Sequence, residues 1–193
     1  MNHLATPRHP IVERALRLSR HYCEGKVIDD APAFAHAVKV ATTLVRHVPD
    51  ASPEMIAAAL LHDAPLYASP GVNLDVVLKH GVADGVAPLV TSLHTEHEAM
   101  MSGSAPRVPE QPVARIMAAD KVVAFRALVE RAGRSSNERE FWDQRATLRS
   151  LLPWFADWCR MASPLLTESL AHDLTLALGQ LETAGLAGQQ PAA

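Results

Sequence analysis

Apolar positions recur along most of this chain every three or four residues, the period of a helix that buries one face. Phe34, Ala37, Val38, Ala41, Leu44, Val45 and Val48 form one such stripe, and Pro49 closes it. Leu166, Leu170, Leu174, Leu178 and Leu181 form another near the C-terminus. One stretch departs from the pattern: Met55 to Leu61 is apolar on every side. A helix there has no solvent face and belongs in the middle of the fold. Ser52 suits its N-cap, and Pro53 its first position, where a missing N–H costs nothing. Pro65 clashes with the carbonyl of Leu61 and restricts Ala64, which predicts a helix end near Asp63. His62 and Asp63 thus arrive together at the end of a buried element, where neither is cheap without a partner.

The same signals place the other elements. Residues 1–9 read as a flexible arm, and a first helix covers Ile11 to Tyr22, with Val12, Ala15, Leu16 and Ser19 along one side. Asp30 is a candidate cap for a helix over 33–48, with Pro32 in its first turn. Asn73 caps a short helix that stops at Gly81, and a further helix covers about 84–98. The run from Ser102 to Pro109 is the clearest loop. A long helix follows over about 111–132, closed by Gly133, with Val113, Ile116, Met117, Val123, Ala127 and Leu128 as its buried stripe. Asn137 with Glu140 resembles a capping box. Pro153 predicts a kink or break near Trp154, and Ser163-Pro164 reads as the start of the last helix, about 164–181. Residues 183–193 read as a flexible tail. The expectation is an all-α helical bundle in one domain over 10–182, with no internal repeat.

Composition narrows the function. The 193 residues are 48% hydrophobic and 5% aromatic, enough for a sizeable core. A net charge of −3 argues against a general nucleic-acid binder. The longest purely apolar run is far too short to cross a bilayer, and the N-terminus lacks the apolar segment of a signal peptide. Cys23 and Cys159 show no metal-type spacing and fit free thiols in a reducing, cytoplasmic setting.

Three predicted helices each put a metal-competent group at or near the interior. His36 lies beside the apolar face of its helix, His62 and Asp63 end the buried helix, and Asp120 falls on the buried stripe of the long one. An unpaired carboxylate there would cost several kcal/mol. Two imidazoles and two carboxylates suit Mn²⁺, Fe²⁺ or Zn²⁺. Four protein ligands leave an octahedral ion open positions for a phosphate oxygen and for water, whose pKa it lowers toward neutral. The dipeptide alone is weak evidence, since ten His and ten Asp in 193 residues produce a chance His-Asp pair in about one such chain in two. The second pair, His172-Asp173, lies opposite the leucine stripe of its helix and reads as ordinary surface.

His36, then His62-Asp63 after an Ala-Leu-rich helix, then Asp120 resembles the H…HD…D signature of the HD phosphohydrolase superfamily. Within it, the likeness is to the alarmone hydrolase domain of RelA/SpoT proteins and the small alarmone hydrolases. Their AALLHD string stands here as Ala58-Ala59-Leu60-Leu61-His62-Asp63. Pro32-Ala33-Phe34-Ala35-His36 is similar to their P-Y-x-x-H region, and the run from Ala118 to Arg126 to their LADKxxNxR. Residues 81–90 are similar to their FG-x-x-V-x-x-LV stretch. The likeness covers about residues 10–130. It implies an HD-domain helical bundle, one divalent ion, Mn²⁺ foremost, held by His36, His62, Asp63 and Asp120, and removal of the 3′-pyrophosphate of (p)ppGpp. Lys121 is a candidate substrate contact.

The chain departs from that family at three places. The Glu-Asp pair that serves catalysis is replaced by Leu66 and Tyr67. The basic stretch that contacts the nucleotide reads Val27-Ile28-Asp29-Asp30. The family's Asn after the downstream Asp is Ala124. These departures predict that (p)ppGpp is a poor substrate, and that the substrate is another phosphate ester or nucleotide. The alternative is a catalytically silent HD protein that binds metal and a nucleotide or partner. His94, His97 and Glu98 share a helical face and offer either a second metal site or, as such sets more often are, a solvated face. Glu96 or Glu98 could stand in for the missing base. Nine Lys and Arg between Arg107 and Arg149, against six acids, could steer an anion, although an ordinary charged surface accounts for them as well. Trp142, Trp154, Phe155 and Trp158 read as core or interface. The oligomeric state is left open, a homo-oligomer included.

Overall fold

The computed structural model describes residues 8–28 and 31–187. Among them are eleven α-helices, one 3₁₀ turn and a single two-stranded hairpin. The fold is all-α.

The buried helix is where the chain predicted it. It spans Pro53–Leu61, the third helix (α3), and from Ile56 to Leu61 no residue keeps more than 1% of its surface. The Ser52 Oγ accepts from the Met55 N–H at 3.2 Å. Around α3 pack α1 (Pro10–Tyr22), α2 (Ala33–His47), α6 (Val86–Met101) and α7 (Gln111–Arg134). The last helix, α11 (Glu168–Ala187), lies mainly along α7. Leu170, Leu174, Leu178 and Leu181 are buried as the stripe predicted, with Ala177 beside them, whereas Leu166 lies before the helix and is only partly buried.

Several boundaries differ from the sequence reading. A hairpin, β1 (Val27–Ile28) against β2 (Ala31–Pro32), precedes α2. Pro32 therefore flanks α2 as its N-cap rather than sitting in its first turn. Asp29 and Asp30 lie outside the described residues, as do 1–7 and 188–193 of the expected arm and tail. Pro65 does more than stop α3. Having no N–H to donate, it opens a new short helix, α4 (Ala64–Tyr67), and His62-Asp63 becomes the joint between the two. α5 (Leu74–Gly81) begins at Asn73, whose side chain accepts from the Val76 N–H at 3.2 Å. Gly103, with φ +74°, closes α6: its N–H reaches the Met100 carbonyl and that of Ser104 the Ala99 carbonyl.

The long helix runs through Gly133 to Arg134, and its buried stripe uses Val122 and Phe125, with Val123 and Ala127 only partly covered. Asn137 caps the next helix as expected, but that segment is three short helices: α8 (Glu138–Asp143), α9 (Ala146–Ser150) and α10 (Leu152–Ala162). The chain breaks between α9 and α10, and Pro153 sits in the first turn of α10, so the proline marks a break. Ser163-Pro164 begins a 3₁₀ turn (Ser163–Leu165), and α11 starts later, where the Thr167 hydroxyl accepts from the Leu170 N–H at 3.3 Å. Trp142, Phe155 and Trp158 are core residues. No helix among the described residues is long and apolar enough to cross a membrane.

Candidate metal centre

Three helices bring the predicted ligands to one point. His36 comes from the first turn of α2, His62 from the C-terminus of α3 and Asp120 from the middle of α7. One ligand atom from each lies within 4.8 Å of the others. Asp120 Oδ1 is 3.0 Å from His36 Nε2 and 3.6 Å from His62 Nε2. Asp63 does not belong to that group of three but adjoins it, with Oδ2 3.2 Å from His62 Nε2. Ligands about 2.1 Å from one ion and at right angles stand about 3.0 Å apart, so these separations are those of neighbouring ligands.

The second layer supports this. The Ala59 carbonyl, in the last turn of α3, lies 2.8 Å from His62 Nδ1. A carbonyl can only accept, so Nδ1 carries a proton, and the imidazole in its neutral form presents the Nε2 lone pair to the cluster. His62 Nε2 is buried and has no hydrogen-bond partner despite the carboxylates beside it. In the metal-free protein the two carboxylates favour a second proton at Nε2, and a divalent cation would take its place. Asp120 divides its oxygens: Oδ1 faces the imidazoles, and Oδ2 accepts from Lys121 Nζ at 2.9 Å. The residues present fit a divalent ion.

Burial and charge pull these groups in opposite directions. Burial alone would lower the His62 pKa, but Asp63 and Asp120 outweigh it and hold the imidazole well above its ordinary value. Burial would raise Asp120, but Lys121, His36 and His62 hold its carboxyl well below the usual range. Asp63 is lowered more modestly, by His62 against burial. With neutral imidazoles, the two carboxylates and the Lys121 ammonium leave one net negative charge. A divalent ion turns that into one net positive charge, which suits an anionic ligand.

A cleft of about 40 Å³ opens beside the cluster, lined by His62, Asp63, Asp120, Lys121, His94 and His97, with Leu66, Leu93, Met100, Ile116 and Met117 as apolar walls. His94 and His97 therefore flank the metal-type cluster. The helical period had grouped them correctly, but it does not say which neighbour their face meets. Glu98 points elsewhere: it is 68% exposed and pairs with His94 at 3.4 Å. Glu96 lines the cleft and is buried, with Oε1 held by Arg107 Nε at 2.9 Å and Oε2 without a partner. Burial, Asp63 and Cys23 push the Tyr67 phenol up to about 12, and Leu66 is apolar, so neither offers a base at neutral pH.

The second His-Asp pair is only half surface. His172 is exposed, but Asp173 Oδ2 lies 3.1 Å from Nε2 of the buried His47 and 3.1 Å from Arg126. Ser169 Oγ lies 3.1 Å from the other His47 nitrogen, Nδ1, and the Thr167 hydroxyl donates to the His47 carbonyl, tying α11 to the end of α2. This network joins α2, α7 and α11.

No protein-family model matches the chain, and no curated protein matches it.

Proposed function

We propose that this chain is a metal-dependent phosphohydrolase of the HD type, acting on a phosphate ester or nucleotide other than (p)ppGpp. The observation that carries the reading is the meeting of His36 Nε2, His62 Nε2 and Asp120 Oδ1, with Asp63 beside them, around a buried nitrogen that lacks a partner. His36, His62 and Asp120 would hold the ion, Mn²⁺ first and Fe²⁺ or Zn²⁺ as alternatives, with Asp63 as the fourth ligand. When bound, such an ion polarises a phosphoryl group and activates water.

The chain's own residues do the rest. The Ala59 carbonyl fixes the His62 tautomer. Lys121 holds Asp120 in place and brings positive charge to the cleft. The walls of Leu93, Met100, Ile116 and Met117 keep bulk water from the reacting group. Free, buried Cys23 and Cys159, with thiols that burial raises (Cys159 to about 12), fit a reducing, cytoplasmic setting. The second reading, a silent metal-binding protein, is favoured by Leu66 and Tyr67, which leave no carboxylate where the resembling family has its Glu-Asp pair.

A Mn²⁺-supplemented screen against phosphomonoesters, nucleotides and (p)ppGpp separates the two. Metal-dependent turnover that His62→Ala abolishes supports the enzyme. A protein that holds metal and turns over none of them supports the silent binder.

A further inference from the structure

We propose that His97 and Lys121 form an anion-binding wall in the cleft, and that they take the terminal phosphoryl group of a compact phosphomonoester. This rests on the metal-centre reading above. The two residues come from different helices, His97 from α6 and Lys121 from α7, and both line the cleft that His62, Asp63 and Asp120 also line.

Lys121 is well placed to hold an anion. Its side chain is 14% exposed, Asp120 accepts one of its three donors at 2.9 Å, and its Nζ lies 5.7 Å from the centre of the Phe155 ring. An ammonium fixed in this way loses little further freedom when a phosphate oxygen arrives. His97 is half-buried and makes no hydrogen bond to any described residue. Its electrical neighbours come from three directions: Lys121 and Asp120 on α7, Asp63 at the α3–α4 joint, and His94 on its own helix. Its ring nitrogens are thus not committed to another described side chain and can bond a ligand that enters the cleft.

The nature of that ligand follows from charge and space. A second cation bound by His97 would face the Lys121 ammonium, so the histidine pair is poorly suited to another metal. An anion there is attracted by Lys121 and, once the first site is filled, by the net positive charge of the centre. The cleft, about 40 Å³, has room for about three waters, which is the scale of a phosphoryl group and far below that of a nucleoside. Leu66, Leu93, Met100, Ile116 and Met117 offer no partner for ribose hydroxyls or base edges. The part of the substrate that enters the cleft beside the phosphoryl group is therefore small.

The test uses the Zn²⁺-loaded full chain titrated with inorganic phosphate, methyl phosphate and guanosine monophosphate, followed by calorimetry and by the histidine ring resonances. The His97 ring signals of the wild type should shift on adding phosphate. His97→Gln should keep its zinc and its melting temperature and lose phosphate affinity by about tenfold or more. His172→Gln, at an exposed histidine, serves as the matched control and should bind as wild type does. Methyl phosphate should bind more tightly than guanosine monophosphate. Unchanged phosphate affinity in zinc-loaded His97→Gln overturns the proposal and leaves the metal centre standing. Loss of zinc in that variant overturns it too, by making His97 a ligand. Tighter nucleotide binding removes the compact-substrate half. A wild type that takes up no zinc overturns both readings. If His97→Gln does not fold, the wild-type ring spectrum decides alone, and a His97 signal that phosphate leaves in place counts against the proposal.

Discussion

Asp120→Asn keeps the shape of the side chain and removes its charge. In the metal-free protein this leaves the Lys121 ammonium, 2.9 Å away, without its counter-charge, and deprives His62 of one of the two carboxylates that hold its proton. Deleting one partner of a buried ion pair typically costs about 3–5 kcal/mol. The Asp120 and Lys121 side chains keep 17% and 14% of their surface, so water screens part of the interaction. The lower end, about 3 kcal/mol, is expected. For a chain of this size that lowers the melting temperature by about 6–12 °C. The effect should also depend on pH. Burial raises the Asp120 pKa, and Lys121, His36 and His62 outweigh it to leave the carboxyl well below its ordinary value. Its contribution is therefore present above the unfolded-state pKa of about 3.9 and is lost as pH falls through the folded-state value. Thermal scans of metal-free wild type and Asp120→Asn at pH 7, 5, 4 and 3 should show a gap that narrows below pH 4. A variant as stable as wild type at pH 7, or a gap that persists unchanged to pH 3, would refute the coupling.

Metal binding should release protons. The metal-free His62 pKa is raised by Asp63 and Asp120, whereas a ligand imidazole is neutral, so Mn²⁺ affinity should climb as pH rises from about 6.5 through the folded value; calorimetry in buffers of different ionisation enthalpy that detects no proton release at pH 7 speaks against it. Leu60→Ala, at a fully buried position of α3, should cost about 2–5 kcal/mol in urea unfolding, against about 0.5 kcal/mol or less for Leu66→Ala, which is 48% exposed. Equal losses would misplace the core. Leu66→Glu puts a carboxylate on the wall of the cleft and should raise metal-dependent phosphoester turnover by about 10²-fold or more if a base is what the chain lacks; an unchanged rate would show that another residue already serves.

Much of the candidate centre is legible in the sequence because three of its four residues break a local rule. His62 and Asp63 end a helix with no polar face, and Asp120 interrupts an apolar stripe. Such anomalies need no tertiary information to notice. What periodicity does not carry is which helix meets which. His94 and His97 share a face in any helical reading, but only the packing of α6 on α3 and α7 turns that face toward the cluster. The Asp173–His47 pair was missed for the same reason: position 173 lies off the leucine stripe of its helix, and its partner sits at the end of α2. The break between α8 and α9, at residues 144 and 145, escaped as well, for no proline or glycine marks it; the break before α10 is signalled by Pro153.

The metal centre itself is tested most directly by elemental analysis. Wild type and Asp120→Ala are reconstituted with Mn²⁺, desalted and assayed for metal per chain. The wild type should retain about one ion and Asp120→Ala essentially none, because three converging ligand atoms become two. A wild type that emerges without metal, or an Asp120→Ala protein that holds as much as wild type, would contradict the account.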